Sequence, residues 1–204
     1  MALNFSKSKI LILGGGVTGT ALANSLTRRG ATIAIADDKK IEDSAFATLL
    51  SADVDISQWE MAIVSPGWKA THPLVRKFFE AGVEITNEID LAWMIKQEQV
   101  PHQRWFALTG TNGKTTTVEM AAAAMRAGGL HAIACGNVGD TVIDAVESKE
   151  KYDVLVLELS SFQIHWMKSA QFTASALLNI ADDHTDWHGD FEEYARTKIS
   201  LLDS

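Results

Sequence analysis

Ala107-Leu108-Thr109-Gly110-Thr111-Asn112-Gly113-Lys114-Thr115-Thr116-Thr117 is the stretch from which the rest of the chain can be read. An apolar run enters it from Trp105, and an Ala-rich helical pattern leaves it from Glu119 to Ala127. A strand, a tight Gly-containing turn and Lys-Thr at a helix mouth make a cradle for phosphate. The first N–H groups of a helix lack intrahelical partners, and the positive end of its dipole attracts anionic oxygens. Lys114 adds a full charge for outer phosphates, and the Thr115 hydroxyl is placed to reach a bound magnesium ion. The usual pattern has a Gly five residues before its second Gly, and here that place is Leu108. The plainer reading is a Gly turn that merely starts a helix.

The 204 residues suffice for one large or two small domains. With 47% hydrophobic and 22% charged residues the chain reads as an ordinary globular protein. A net charge of −8 argues against general nucleic-acid binding, which needs a basic face. Phosphate ligands must then be held by local devices. The single Cys135 excludes an internal disulfide and fits a reducing compartment. Ile10 to Leu13 is too short for a signal-peptide core or a membrane span, so a cytoplasmic protein without membrane insertion is expected.

Upstream of the loop, Lys9 to Leu13 reads as a buried strand running into Gly14-Gly15-Gly16-Val17-Thr18-Gly19, a G-x-G-x-x-G pattern. A helix should follow from Thr18 to Arg29, stopped by Gly30, and a strand from Thr32 to Ala36 that ends at Asp37-Asp38. An acid at that spacing suits a ribose hydroxyl or a ring edge. The first forty or so residues thus form a βαβ unit with its crevice at the strand ends, unless the glycines only pack a helix on a sheet. Met61 to Val64 is a further strand, ended by a tight Ser65-Pro66-Gly67 loop. Pro73 to Glu80 is expected as a helix, Val83 to Thr86 as a strand, and Glu88 to Gln99 as a helix with Ile89, Leu91 and Trp93 inward. Polar Lys96 to Gln99 before Pro101 places a domain boundary near residue 100, giving domains 1–100 and 101–204.

Downstream, His131 to Ala134 reads as a strand leading to Gly136-Asn137-Val138-Gly139, and Asp140 to Glu147 as a short helix. Tyr152 to Leu159 is strongly apolar except for Glu158, a carboxylate placed to hold magnesium or to pair with some cation. Thr173 to Ile180 is another strand, ending in Ala181-Asp182-Asp183-His184-Thr185-Asp186-Trp187-His188, either a metal or phosphate environment or a solvated acidic loop. Phe191 to Leu202 is helical by pattern, with Phe191, Tyr194, Ile199 and Leu202 as its buried side; read alone, Lys198 is a solvent-facing helix lysine.

Together these segments resemble the Mur ligase family. Thr109 to Thr116 is similar to its phosphate loop, including the missing first Gly. Leu157-Glu158-Leu159-Ser160-Ser161-Phe162-Gln163 is similar to the branch that adds D-glutamate to UDP-N-acetylmuramoyl-L-alanine. So are Asn179 to Asp186, Tyr194-Ala195-Arg196-Thr197-Lys198, Ser65-Pro66-Gly67 and Gly136 to Gly139. The implied fold is α/β, an N-terminal Rossmann-like parallel-sheet domain followed by the first part of a P-loop ATPase domain. The implied chemistry is ATP-driven amide formation through an acyl phosphate, with ATP and Mg2+ required and a monomer expected. By this resemblance Gly110, Thr111, Asn112, Gly113, Lys114, Thr115 and Thr116 hold ATP. Thr115 and Glu158 serve one magnesium ion; His184 and Lys198, the latter as a carbamate, serve a second. Lys114, Glu158, His184 and Lys198 form the catalytic set. Val17, Thr18, Asp38, Ser65, Gly67, Asn137 and Ser160 are expected on the UDP-sugar, although Asp38-Lys39 stands where the family often has Thr-Arg. Family members are considerably longer, with a complete central domain and a third domain for D-glutamate. The expectation is therefore a piece of a ligase that binds substrate and does not turn over alone.

Three other readings stay open on residues alone. A nicotinamide-dependent oxidoreductase would use Gly14 to Gly19 and Asp37 but leaves the second phosphate loop unexplained. A non-catalytic nucleotide-binding module would leave Glu158, His184 and Lys198 unexplained. Another amide ligase of the superfamily, such as a folylpolyglutamate synthetase, fits Leu157 to Gln163 and the N-terminal βαβ unit less well.

Overall fold

Lys9–Leu13 (β1) carries four consecutive aliphatic residues, Ile10 to Leu13, and all four are fully buried. An all-apolar run of this kind suits a parallel sheet covered on both faces, where each such side chain contributes about 1.5–3 kcal/mol. The computed structural model describes residues 5–204. It divides into two compact units, up to Leu91 and from Ala92 onward.

In the first unit, β1 is the middle of a five-stranded, wholly parallel sheet. Its neighbours are Thr32–Asp37 (β2) on one side and Met61–Val64 (β4) on the other. Ala47–Leu50 (β3) and Glu84–Asn87 (β5) form the edges. β3 was not expected from sequence: it is a four-residue edge strand, Ala47-Thr48-Leu49-Leu50, whose apolar run is short and whose residues are all partly or fully exposed. Val17–Arg28 (α1) connects β1 to β2, and Pro73–Glu80 (α2) precedes β5. Leu13 lies beside Ala36 and Val64, so the carboxyl ends of β1, β2 and β4 meet at one edge. Strand order reverses on the two sides of β1, the position at which α/β sheets open a ligand crevice. Gly19 seats α1 there: a Cβ on it would stand 1.9 Å from the Gly14 carbonyl oxygen.

Glu88–Gln99 (α3) spans its expected range. Ile89 and Leu91 are buried, while Trp93 is partly buried with its ring edge-on to Trp105 at 5.3 Å between centroids.

The second unit holds a four-stranded parallel sheet in the order β7-β8-β6-β9. These strands are Arg104–Thr109 (β6), Ala132–Gly136 (β7), Val154–Glu158 (β8) and Ala174–Leu177 (β9). Lys114–Ala127 (α4) packs across β7 and β8, with Val118 and Ala122 against Leu108, Val154 and Val156. Val142–Glu147 (α5) follows β7, its Thr141 cap accepting from the Asp144 N–H. Ser161–Trp166 (α6) and Thr185–His188 (α7) are short helices absent from the sequence reading. Phe191–Ile199 (α8) ends in a 3-10 turn over Ser200–Asp203.

α8 corrects the expected buried side. Tyr194 is buried, but Phe191, Ile199 and Leu202 are exposed, and Thr197, Lys198 and Leu201 face inward instead. Read alone as solvent-facing, Lys198 is 2% exposed. The inward positions 194, 197, 198 and 201 follow helical spacing, but two of them are polar. An apolar-only pattern shifts the face.

Candidate functional site

Each unit gathers its candidate residues at the carboxyl ends of its own strands. In the first unit the Asp37 carboxylate accepts from the Gly15 N–H at 2.9 Å and so ties the glycine loop to the end of β2. Asp38 turns elsewhere: its carboxylate accepts from the Ser51 hydroxyl at 2.5 Å and meets His72 Nε2 at 3.0 Å. Those partners, Ser51 first, hold the exposed Asp38 carboxyl below its ordinary range. Asp37, Asp38, Gly67, Trp68 and His72 line a cavity of about 440 Å3, with the Trp68 and His72 rings 4.4 Å apart. Ser65 borders the glycine loop, and its buried hydroxyl has no hydrogen-bond partner among the described residues. A buried hydroxyl left unpaired costs about 1–3 kcal/mol, which a ligand group can relieve. Val17 is largely exposed and Thr18 partly so, both at the start of α1.

The second unit builds its site around the loop from Gly110 to Gly113. Gly113 sits at φ +82 immediately before α4, a left-handed conformation that glycine adopts without strain. Lys114 folds back over the loop, its Nζ donating to the Gly110 and Thr111 carbonyls, each at 3.0 Å. The Thr115 hydroxyl donates to Glu158 Oε2 at 2.7 Å, and Asn137 Nδ2 donates to Glu158 Oε1 at 2.9 Å. The register places Leu108 and Gly136 directly beside Glu158, so strand pairing delivers loop, carboxylate and Asn137 to one point.

Lys198 reaches the same loop from α8. Its Nζ donates to the Gly110 carbonyl at 2.9 Å and the Thr109 hydroxyl at 3.2 Å, and lies 4.9 Å from the centre of the Tyr194 ring. Burial, then the neighbouring Lys114 charge, lowers its pKa to about 8, with Asp183 opposing. His184 stands at the end of the β9 loop in a left-handed conformation, φ +52, its ring against Phe162 and Tyr194 at 4.8 and 6.2 Å. Lys114, Thr115, Glu158 and Lys198 are thus joined through one hydrogen-bonded loop, while His184 is placed beside it by aromatic packing.

Other expected residues have partners within the protein. The Thr111 hydroxyl contacts Tyr194 Oη at 2.9 Å and accepts from the Ala181 N–H at 2.9 Å. Ser160 caps α6: its hydroxyl accepts from the Gln163 N–H at 3.2 Å, and its own N–H donates to Gln163 Oε1 at 2.9 Å. Asn112, Gly113 and Thr116 remain exposed at the loop. Two residues to which the sequence assigns no role of their own also shape the site. Asn179 accepts from the Thr111 and Asn112 N–H groups with its main-chain and side-chain oxygens, at 3.1 and 3.0 Å. Tyr194 braces both Thr111 and Lys198. A lone Asn after a strand and a Tyr in a helix carry no spacing signal that marks such roles.

Among the described residues, no group of three His, Cys, Asp or Glu side chains converges as a metal site. That donor set still fits magnesium, which is commonly held by one or two carboxylates with phosphates and water completing the shell. Glu158 and the Thr115 hydroxyl supply adjacent hard oxygens at the mouth of the phosphate loop. No helix among the described residues is long and apolar enough to cross a membrane.

Known proteins resemble this chain in sequence and fold. Residues 108–204 match the Mur ligase middle domain. The chain is 38% identical over 206 residues to the UDP-N-acetylmuramoylalanine–D-glutamate ligase of Corynebacterium efficiens, covering 96% of this chain and 43% of that protein. With the enzyme of the same name from Mycobacterium tuberculosis it shares 40% identity over 202 residues, 95% of this chain and 40% of the other. It therefore spans less than half the length of these relatives. Among solved structures, a UDP-N-acetylmuramate:L-alanyl-gamma-D-glutamyl-meso-diaminopimelate ligase from Neisseria meningitides matches with a TM-score of 0.58 at 17% identity, over 97% of this chain and 68% of that one. UDP-N-acetylmuramate-alanine ligase from Thermotoga maritima gives 0.52 at 22%, over 95% and 47%. At those identities the likeness speaks for the fold, which is the α/β, parallel-sheet arrangement expected from the sequence. By the matched domain over residues 108–204 and by sequence along nearly all of its length, the chain is similar to Mur ligases.

Proposed function

We propose that this chain carries the UDP-sugar and ATP-phosphate sites of a ligase that joins D-glutamate to UDP-N-acetylmuramoyl-L-alanine in peptidoglycan precursor synthesis. The observation that carries the reading is the Thr115–Glu158 pair, 2.7 Å apart, at the mouth of the loop that Lys114 covers. In the reaction proposed, the substrate carboxylate attacks the γ-phosphate of ATP, giving an acyl phosphate and ADP. The amine of D-glutamate then attacks the acyl carbon and phosphate leaves. Such chemistry depends on positioning and charge neutralisation more than on covalent participation by the protein.

In this reading Lys114 leaves the Gly110 and Thr111 carbonyls to meet the phosphates, and the N–H groups at the start of α4 complete the cradle. Thr115 and Glu158 hold magnesium, which neutralises phosphate charge when bound. Asn137 keeps the Glu158 carboxylate oriented from its other oxygen. His184 and a carbamate on Lys198 serve a second ion, and Ser160 faces the muramoyl substrate. In the first unit the glycine loop, Asp38, Ser65 and Gly67 receive the uridine diphosphate, with Val17 and Thr18 at the α1 start. In the same reading the enzyme is cytoplasmic.

Calorimetric titration with UDP-N-acetylmuramoyl-L-alanine, and with NAD in parallel, tests the reading. Binding of the UDP-sugar without NAD is expected. NAD binding alone would overturn it in favour of an oxidoreductase first unit.

A further inference from the structure

We propose that Ser161 and His188 form a positioning pair that docks the turn bearing His184 onto the start of α6, and so fixes where His184 lies relative to Glu158. The inference rests on the nucleotide reading above and adds two residues to it. Ser161 Oγ and His188 Nε2 are 2.9 Å apart, joining segments 27 residues apart in sequence. On one side, Ser161 is 1% exposed and follows Glu158 by three residues, at the end of the strand that positions that carboxylate. On the other, His188 closes the turn that His184 opens, its N–H donating to the His184 carbonyl at 3.1 Å.

Phe162 fills the space between the two segments. Its ring lies 4.8 Å from His184, 4.8 Å from Trp187 and 5.8 Å from His188, nearly parallel to the last at 17°. Aromatic packing of this kind sets a distance but lets rings slide, whereas a hydrogen bond fixes register. The bond to Ser161 is the polar anchor of the His188 ring, because Nδ1 is buried and has no hydrogen-bond partner among the described residues. The His184 side chain is 46% exposed and, among the described residues, is held by Asp183 and by the rings around it and by no buried hydrogen bond.

Each segment is complete without the bond. α6 is already capped by the reciprocal Ser160–Gln163 contacts, and the 185–188 turn closes through its own backbone. What the Ser161–His188 contact adds is the placement of one strand end against another. Partners that orient a metal ligand without touching the metal typically change affinity by about 10–100-fold when removed.

The experiment is Mn2+ titration of the chain saturated with ADP, with free Mn2+ read by electron paramagnetic resonance, beside ADP titration in EDTA. Ser161→Ala and His188→Phe are expected to weaken Mn2+ binding at the site that His184 serves, read as the loss of one class of bound Mn2+, about tenfold. The double variant should be no worse than either alone, and His188→Gln, whose amide reaches the Nε2 position, should recover most of the loss. ADP affinity in EDTA should stay unchanged throughout. Unaltered Mn2+ binding in Ser161→Ala and His188→Phe overturns the pair, and so does an equal loss of ADP affinity in EDTA, which marks a general structural role. Failure of the unsubstituted chain to bind ADP or Mn2+ overturns the nucleotide reading itself and the pair with it.

Discussion

The Thr115 hydroxyl donates to Glu158 Oε2 at 2.7 Å while Asn137 holds Oε1 at 2.9 Å, so both oxygens of a carboxylate only 2% exposed are engaged. An anionic side chain buried beside a phosphate cradle is costly unless something positive arrives with the phosphates. Glu158→Gln keeps the volume and one acceptor but removes the charge. It is expected to weaken magnesium-dependent ADP binding about tenfold or more. ADP binding in EDTA should hold or improve, since a negative charge near the phosphates is gone. Calorimetry with and without Mg2+ checks this; equal magnesium dependence in the two proteins would count against Glu158 as a ligand.

Gly19 tests the first unit. A Cβ there would meet the Gly14 carbonyl oxygen at 1.9 Å, and backbone cannot swing aside as a side chain does. Gly19→Ala should cost about 1–3 kcal/mol, at the upper end for overpacking against main chain. Hydrogen exchange at the β1 amides, fastest in the variant and unchanged in β6, is the expected result.

Most of this framework was legible in sequence because parallel strands buried on both faces read as short apolar runs. β1, β4, α2 and α3 fall on their expected ranges, and the helix after the phosphate loop starts at Lys114. What escaped carried apolar residues only in short or mixed runs. β3 is a partly exposed edge, and α6 is six residues long and starts from a polar capping box. The inward face of α8 was misread because Lys198 and Thr197 face inward where an apolar pattern expects Ile199 and Leu202. In the site, motifs named Lys114, Thr115 and Glu158, while Asn179, Tyr194 and the Ser161–His188 bond depend on contacts between segments distant in sequence.

Adjacent aspartates at the end of β2 are predicted to separate by role. Both line the cavity beside Trp68 and His72, but Asp37 accepts from the Gly15 N–H at 2.9 Å, whereas the Asp38 carboxylate meets only side chains, Ser51 and His72, among the described residues. Asp37→Ala should loosen the glycine loop and lower stability by about 1.5–3 kcal/mol, the range for a hydrogen bond to a charged group. Asp38→Ala, at an exposed carboxylate shared by Ser51 and His72, should cost no more than about 1 kcal/mol and weaken UDP binding. Thermal melts and UDP titration on both variants separate the two; a reversed pattern would move the ligand contact to Asp37.

Lys198 supplies the pH dependence. Its amine is held at about 8 instead of 10.5 by burial and by Lys114, so the folded protein favours the neutral form. The unfolded chain binds the proton more tightly, so this group's contribution to stability is full above pH 10.5 and is lost as pH falls toward 8. Only the neutral amine adds carbon dioxide, and the carbamate formed would carry a negative charge onto a residue now donating to the Gly110 carbonyl. In 13C-labelled bicarbonate, a carbamate resonance should therefore grow as pH rises through about 8 and should be absent in Lys198→Met. Mg2+ with ADP should strengthen it by pairing with the new anion. A resonance that persists in Lys198→Met, or one indifferent to pH across this window, would remove Lys198 from the proposed metal set.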